Sequence, residues 1–235
     1  MNKPNTNLKR KREKGKTVDE VFNEIKLMLF YNNIVPGQKL IYQDLGLQLN
    51  TSTTPIIHAL ERLRQLNLVR YIPNRGFFVA EITEAEANEI FAVREALELY
   101  VIPEVIKNLT EAKMKSLWSA YREYKKTGLP KKRKERMQSD TELHLNIVKY
   151  AENKLIIDLL SGIYERLYIK YRPEYLNEKR MKDAEIEHEA ILKAMDKRDV
   201  NKVKKILKRH IRGGKKHIIK NLKSYHYSRA SMRAD

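Results

Sequence analysis

The segment that decides the fold runs from residue 35 to residue 79 and reads VPGQKLIYQDLGLQLNTSTTPIIHALERLRQLNLVRYIPNRGFFV. It opens with a Pro-Gly turn and a short extended piece, after which apolar residues recur four apart, as on one face of a short helix. Thr54 and Pro55 then predict the start of a second helix, with Thr54 as its cap and Pro55 at its first position. The apolar stripe of that helix consists of Ile56, Ala59, Leu60, Leu63 and Leu66. A helix-turn-helix of this kind places the N-terminal residues of its second helix in a DNA major groove.

A β-hairpin is predicted directly after this helix pair. Residues 69–72 and 77–80 are β-branched and aromatic runs, which are typical of strands. The intervening P-N-R-G sequence, residues 73–76, has the residue types of a tight turn. A hairpin in this position is a wing, and Arg75 would lie at its tip.

The whole segment resembles the winged-helix domain of the GntR family of bacterial transcription regulators. The resemblance rests on the Pro36-Gly37 turn, the T-P-x-x-x-A-L pattern that starts at Thr54, and the wing sequence P-N-R-G at 73–76. It implies binding to a double-stranded DNA operator. The residues expected at the DNA are Gln43, Ser52, Thr53, Thr54, His58, Asn74, Arg75 and Gly76.

The recognition helix departs from the family at two positions. The family typically has S-R-T-P-V-R-E-A-L there, whereas this chain has Thr53 and Ile57 in place of the two arginines. Arginine is the commonest bidentate reader of guanine, so the change predicts an altered or weaker base code. The simpler interpretation of Thr53 and Thr54 is that they only cap the helix.

The composition of the chain points to a polyanionic partner. Its 235 residues allow two modest domains or one large one, and the formal net charge is +18 with a pI near 9.8. This balance favours nucleic acid first and a membrane surface second. The chain has no cysteine, which excludes disulfides and thiolate chemistry. No apolar run approaches the roughly 18–20 residues that span a bilayer, and no secretory signal is evident, so we expect a cytoplasmic protein without membrane contact.

The charge and the periodicity divide the chain into regions. Residues 1–16 hold seven Lys or Arg against one acid and are predicted to be a basic disordered arm. Residues 17–80 form the predicted winged-helix domain, whose first helix starts with a capping box at Thr17 and Glu20. Residues 84–226 are helical throughout, and residues 227–235 are a tail. Twelve Lys or Arg against one acid fall within residues 200–235.

The second region predicts an antiparallel bundle, because its helices are amphipathic and its connections are short. The expected helices are 84–107, 110–126, 131–151, 153–171, 176–196 and 199–226. The fold class is therefore mainly α, an N-terminal winged helix-turn-helix followed by an antiparallel all-α bundle.

Three histidines and one aspartate of this bundle satisfy two geometric conditions. Asp140 and His144 are four residues apart on one helix, so their side chains share a face. His188 and His210 are equidistant from the turn at Asp199, so they should face each other across a helical hairpin. Imidazoles and a carboxylate in a bundle core suit a divalent transition metal, namely zinc, nickel, manganese or iron. The simpler interpretation is scattered histidines that bond to the backbone.

The helical region also resembles the C-terminal domain of the FadR subfamily of the same family, in its metal-binding type. The residues that carry this resemblance are 93–98 (V-R-E-A-L-E), Asp140, His144, Asn153, 187–194 (E-H-E-A-I-L-K-A), Asp199 and His210. It implies that Asp140, His144, His188 and His210 are metal ligands and that the domain binds an effector and dimerises. It further implies that Arg94 holds a small carboxylate effector, although an ion pair with Glu98 four residues later explains Arg94 equally well.

These observations favour a homodimeric, non-enzymatic transcription regulator whose operator affinity changes when a small carboxylate effector binds at a metal site. Two alternatives stay open. A metal with open positions could activate water in a hydrolytic enzyme, although no general acid or base is evident beyond the ligands. The chain could also be a sequence-tolerant DNA-binding protein without an effector, which the missing arginines and the charged ends favour.

Overall fold

The computed structural model describes residues 15–127 and 133–231, and for residues 225–231 it describes the backbone alone. The chain divides between Val79 and Ala80 into two compact units. Nearly all of the expected arm, 1–16, and the last residues of the expected tail, 232–235, lie outside the described residues.

The first unit is a winged helix-turn-helix, as the sequence predicts. Its elements are α1 (Val18–Phe30), β1 (Lys39–Leu40), α2 (Tyr42–Gln48), α3 (Thr53–Gln65), β2 (Val69–Ile72) and β3 (Gly76–Val79). The capping box of α1 is confirmed, since the Glu20 N–H donates to Thr17 Oγ1 at 3.2 Å and the Thr17 N–H donates to the Glu20 carboxylate at 2.7 Å. Val21, Ile25 and Leu29 of α1 are fully buried, and α1 packs against α3. This packing holds the recognition helix in place.

The start of α3 differs from the prediction. The helix begins at Thr53 with Ser52 as its N-cap, and Ser52 makes no side-chain capping bond. The predicted cap at Thr54 is therefore wrong, and Pro55 occupies the third helical position. Pro is tolerated there because the first four N–H groups of a helix have no partner within it. Leu66 was also expected on the buried stripe, but it follows the last helical turn and is 44% exposed.

The three strands form one antiparallel sheet in the order β1-β3-β2. Val69 pairs with Val79 and Ile72 with Gly76, so residues 73–75 form the hairpin turn. Asn74 and Gly76 have positive φ values of 61° and 89°, a conformation that Asn and Gly adopt with little strain. The turn chemistry read from the sequence thus sets the register of the wing.

The second unit is an all-helical bundle, also as predicted. Its α-helices are α4 (Glu84–Asn108), α5 (Glu111–Lys126), α6 (Arg133–Val148), α7 (Lys154–Lys170), α8 (Glu178–Asp196) and α9 (Val200–Ser231). Short 3-10 turns at Lys149–Ala151 and Pro173–Tyr175 lie next to α7. The core is a continuous apolar cluster to which each of these α-helices contributes.

Two features of α8 and α9 position the candidate site. A tight turn with Arg198 at φ 56° joins them, and the Lys202 N–H donates to Asp199 Oδ1 at 2.9 Å, which caps α9. The backbone of α9 stays helical to Ser231, five residues beyond the expected end at 226. The sequence has no Pro or Gly after Gly214, so nothing in it ends the helix at that point.

Candidate functional site

The expected DNA-contacting residues of the first unit are accessible. The exposed ones are Gln43 on α2, Ser52, Thr53, Thr54 and His58 at the start of α3, and Asn74 and Arg75 in the hairpin turn. Gly76 is half-buried, and its role is to form the turn. Ile57, at the position of a missing arginine, is 38% exposed. An exposed apolar side chain therefore lies on the surface that a recognition helix presents to bases.

Two basic residues of the wing escaped the sequence-based assignment. Lys39 of β1 and Arg70 of β2 both pair with Phe78 of β3, so the three side chains project from the same face of the sheet. The guanidinium groups of Arg70 and Arg75 lie 5.7 and 5.6 Å from the centroid of the Phe78 ring. Lys39, Arg70 and Arg75 thus form one basic surface. The alternation of strand residues could have identified Arg70, but placing Lys39 beside it required the strand order.

In the second unit, the structure brings together the four residues that the sequence singled out as metal ligands. Asp140 and His144 lie on α6, His188 on α8 and His210 on α9, and one potential ligand atom from each lies within 4.8 Å of the others. Nε2 of His144 is 3.1 Å from Nε2 of His210 and 3.2 Å from Nε2 of His188. An Asp140 carboxylate oxygen is 3.5 Å from Nε2 of His188. The three histidines are buried, whereas the Asp140 side chain is 31% exposed.

Two carboxylates set the tautomers of two of these imidazoles. Glu98 Oε2 lies 2.8 Å from Nδ1 of His144, and Glu187 Oε2 lies 2.9 Å from Nδ1 of His210. A carboxylate can only accept a hydrogen bond, so Nδ1 carries the proton in both rings. The Arg180 guanidinium is 3.3 Å from the same Nδ1 of His210, but the shorter contact with the anionic Glu187 decides the tautomer. The sequence places Glu98 and Glu187 in the motifs that carry the resemblance, but it does not predict that they contact His144 and His210.

With both Nδ1 atoms protonated, the Nε2 lone pairs of His144 and His210 point at each other across 3.1 Å. Two such lone pairs repel unless they share a cation. Two nitrogens bound to one ion at about 2.1 Å lie about 3 Å apart when the angle between them is near 90°. The histidine spacing therefore fits a shared metal ion. Ligand atoms on opposite sides of such an ion lie about 4.2 Å apart, so a pair separated by 4.8 Å would have to approach by about 0.6 Å. Nδ1 of His188 is buried and has no hydrogen-bonding partner among the described residues.

The pKa values of His188 and His210 indicate neutral imidazoles. Burial lowers the pKa of His188 from 6.5 to about 3, and burial also lowers the pKa of His210 well below 6.5. Burial would raise the pKa of Glu98, but Arg94 and His144 outweigh it and lower the pKa to about 2. Neutral imidazole is the form that binds metals. His188 and His210 thus offer neutral nitrogen donors, and the cluster of three imidazoles and one carboxylate suits a divalent cation.

Arg94 makes the ion pair with Glu98 that the sequence allowed for it, and its contact with an effector stays a prediction. Its Nε donates to Glu98 Oε1 at 2.9 Å, which is the expected i,i+4 ion pair, and its Nη2 donates to the Tyr164 hydroxyl at 2.7 Å. The Tyr164 hydroxyl donates in turn to Glu98 Oε1 at 2.8 Å. Arg94 also lines the cavity beside the histidine cluster. The ion pair therefore fixes the guanidinium at the cavity wall.

The cavity has a volume of about 100 Å³ and room for a small ligand. The wall of the cavity includes Asp140 and His210 of the histidine cluster. Three arginines line the cavity as well, namely Arg94, Arg136 and Arg180. Tyr164, Tyr168 and Tyr171, which recur at helical spacing in the sequence, form part of the apolar wall. Arg136 is almost fully buried, and its Nε has no hydrogen-bonding partner among the described residues. Gly214 allows α9 to approach this wall closely, since a Cβ there would lie 3.3 Å from the Phe91 ring.

Two family models match the chain, one for each unit. The model described as bacterial regulatory proteins, gntR family, matches residues 17–79, and the FCD domain model matches residues 89–213, more than half of the chain. The chain belongs to the GntR family. It is a DNA-binding transcription regulator with an FCD effector-binding domain, of the FadR-like subfamily that the sequence suggested.

Relatives of this GntR regulator agree with the assignment. The HTH-type transcriptional regulator McbR of Escherichia coli is 35% identical over 91 residues, an alignment that spans 39% of this chain and 41% of McbR. The HTH-type transcriptional regulator YdhC of Bacillus subtilis is 22% identical over 205 residues, which cover 87% of this chain and 90% of YdhC. The solved structure of McbR superimposes with a TM-score of 0.68 over 88% of this chain and 98% of that chain, at 21% identity, which shows a shared fold. In the described ranges, no helix is long and apolar enough to cross a membrane.

Proposed function

We propose that this GntR regulator binds a divalent transition metal through Asp140, His144, His188 and His210, and that the metal and Arg94 together hold a small carboxylate effector. The observation that carries the proposal is the pair of Nε2 atoms that lie 3.1 Å apart, on rings whose Nδ1 atoms each contact a carboxylate. A bound metal would supply a Lewis acid that accepts a carboxylate oxygen. Zinc, nickel, manganese and iron all suit this donor set.

The cavity supports a small anionic ligand. Arg94 is held by Glu98 and Tyr164, so little side-chain entropy remains to be lost when it binds a carboxylate. Its Nη1 has no hydrogen bond to any residue that the structure describes and can donate to a ligand oxygen.

The regulator would act as a homodimer on an operator with two related half-sites, in the cytoplasm where bacterial DNA lies. An exposed, largely apolar surface on α4 and α7 supports dimerisation through a second copy of the chain. Its residues are Ala92, Val93, Ala96, Tyr100 and Pro103 on α4, and Leu155, Leu159 and Gly162 on α7. Tyr100 and Leu155 are 71% and 69% exposed, and such surfaces mark interaction sites. A two-fold dimer buries the same surface of both copies.

The effector would act by population shift. Arg94, Asp140 and His210 line the cavity from α4, α6 and α9, so one ligand would join three helices of the bundle. A ligand that binds one arrangement of the dimer better than another increases the population of that arrangement. If the two arrangements differ in affinity for DNA, the ligand thereby changes the affinity for DNA. Couplings of this kind typically change affinity about 5–150-fold.

Metal analysis of the purified protein, before and after chelation, tests this proposal. We expect one transition metal per chain, and small carboxylic acids should raise the melting temperature of the metal-loaded protein alone. His188→Ala should abolish stoichiometric metal, whereas His217→Ala, which changes a cavity-lining histidine outside the cluster, should retain it. Full metal content in His188→Ala would exclude the site. Equal stabilisation of chelated and loaded protein would show an effector that does not need the metal.

A second candidate function is sequence-tolerant DNA binding, which the exposed Ile57 favours, since an arginine that could read guanine is absent there. Selection of binding sites from a random DNA library discriminates the two functions. A consensus with two related half-sites would support an operator-specific regulator, and an unenriched library would support tolerance. In the latter case, Thr53→Arg combined with Ile57→Arg should produce a consensus.

A further inference from the structure

The C-terminal helix α9 carries an unusually one-sided charge. Its 32 residues include eleven Lys or Arg and no Asp or Glu. Its apolar residues are used by the bundle core, because Val203, Leu207, Ile211 and Leu222 are all buried. The charges therefore occupy the faces that the core does not cover.

Five of these cations form a line on the exposed surface, which we call the basic stripe. The basic stripe consists of Lys202, Lys205, Arg209, Lys216 and Lys220, all exposed. At about 100° per residue these positions fall within about 60° of one another around the helix axis. At 1.5 Å per residue, Lys202 and Lys220 lie about 27 Å apart along that axis. The stripe thus presents a straight row of positive charge.

No acidic side chain within the described residues neutralises the basic stripe. The ion pairs of α9 involve its neighbours instead, since Arg212 and Lys208 share Glu95, and Lys223 pairs with Glu84. Arg212, which is not part of the stripe, contacts both oxygens of Glu95 at 2.8 Å. The carboxylates of Glu95 and Glu84 are thus paired with other cations of α9. Its charge is therefore available to a partner.

Helix stability does not explain the stripe. Like charges four residues apart, such as Lys205 with Arg209 and Lys216 with Lys220, destabilise a helix. The helix dipole favours cations only near the C-terminus, whereas Lys202 lies in the first turn. Like-charge repulsion and the helix dipole therefore both lower the stability of α9, and a contact of the stripe with another molecule would explain why the cations are there.

We propose that the basic stripe is a second DNA-contacting surface, which binds the phosphate backbone independently of base sequence. A row of cations about 27 Å long is comparable with the roughly 34 Å of one turn of duplex DNA, so it can follow phosphates along or across a groove. An amphipathic helix that binds lipid inserts an apolar face, but the apolar face of α9 lies in the core. The family assignment explains DNA binding by the winged unit, and the stripe adds phosphate contacts made by the helical unit.

The test compares two neutralised variants of the full chain. The stripe variant carries Lys205→Gln, Arg209→Gln and Lys216→Gln. The control carries Lys115→Gln, Arg122→Gln and Lys182→Gln, which remove the same charge from exposed positions on α5 and α8. Both variants change the net charge equally, so a general electrostatic effect would act on both. Circular dichroism melting confirms that each variant is folded.

The measurement is the salt dependence of binding to a random-sequence duplex of about 40 base pairs. Each lost phosphate contact should reduce the slope of log affinity against log salt by about 1, so the stripe variant should lose about 3 for each subunit that contacts the DNA through its stripe, and the control close to none. Equal slopes for the stripe variant and the unmodified protein would overturn the proposal. Binding to phosphatidylserine vesicles that the stripe variant loses, with DNA binding intact, would also overturn it and would identify a membrane partner.

Discussion

Glu98 Oε2 lies 2.8 Å from Nδ1 of His144, 46 residues further along the chain, and both side chains are only 2% exposed. The other oxygen of the same carboxylate binds Arg94 and Tyr164. One buried carboxylate thus orients a candidate metal ligand and neutralises a candidate effector-binding guanidinium. The metal-binding and effector-binding parts of the candidate site therefore share Glu98 as a common hydrogen-bonding partner.

Replacing Glu98 should therefore destabilise the FCD domain. Glu98→Gln keeps the shape of the side chain but leaves the Arg94 guanidinium buried without a counter-charge, which typically costs about 3–5 kcal/mol. Urea unfolding of the metal-free protein measures this loss. Glu189→Gln is the matched control, because Glu189 pairs with Lys193 at the surface and such pairs contribute about 0–1 kcal/mol. Similar small losses in both variants would contradict the proposed role of Glu98.

Glu187 should affect metal affinity. Its carboxylate holds Nδ1 of His210 at 2.9 Å, and loss of such an outer contact typically weakens metal binding about 10–100-fold. We expect this weakening in Glu187→Gln, measured by competition with a fluorescent chelator. Glu189→Gln on the same helix should bind metal as the unmodified protein does. Unchanged affinity in Glu187→Gln would mean that Arg180 rather than Glu187 orients the ring.

The stability of the metal-free protein should fall with acidification. Unfolded His188 takes up a proton below its ordinary pKa near 6.5, whereas burial lowers the pKa of the folded residue to about 3. The unfolded state therefore binds more protons between these values, and stability is lost as pH falls from about 6.5 towards 3. One such histidine lowers the free energy of unfolding by roughly 1 kcal/mol as the pH falls from about 7.5 to about 5.5. Chelated His188→Gln, compared by urea unfolding, should show a shallower pH dependence, and an identical dependence would contradict the burial argument.

Arg75 should contribute to DNA binding through the wing. The side chain is exposed in the hairpin turn and lies on the basic surface shared with Lys39 and Arg70. Arg75→Ala should weaken binding and lower the salt slope by about 1, as expected for one lost phosphate contact. Fluorescence anisotropy with a random duplex measures both quantities. Arg64→Ala removes an exposed arginine that pairs with Glu61 at the end of α3, and it should leave the slope unchanged. Unchanged affinity in Arg75→Ala would exclude the wing tip from the contacts.

The apolar surface on α4 and α7 should hold the dimer together. Tyr100→Glu combined with Leu159→Glu would place charges in the proposed interface, and burying them without partners is strongly unfavourable. We expect a monomer by analytical ultracentrifugation, whereas the unmodified chain should sediment as a dimer. Ile186→Glu changes an apolar residue on α8 that is 68% exposed and should remain dimeric. A dimer that persists in the double variant would place the interface elsewhere.

The sequence by itself determined the features that depend on local geometry. Turn residues predicted the wing, because Asn74 and Gly76 adopt conformations that few other residues tolerate. Helical spacing placed Asp140 beside His144, and a short turn at Asp199 placed His188 level with His210. The sequence does not determine the N-cap of α3, because Ser52, Thr53 and Thr54 all carry hydroxyls and Pro55 is tolerated anywhere in the first turn.

Only the tertiary structure decided which distant residues complete the site. Glu98 and Glu187 are ordinary helical carboxylates in the sequence, and their contacts with His144 and His210 depend on which helices become neighbours and how each is rotated about its axis. The same holds for the cavity and for the pairing of Lys39 with Phe78. Helix periodicity fixes the spacing along one element, but the choice of partner between elements follows from packing the whole apolar core at once.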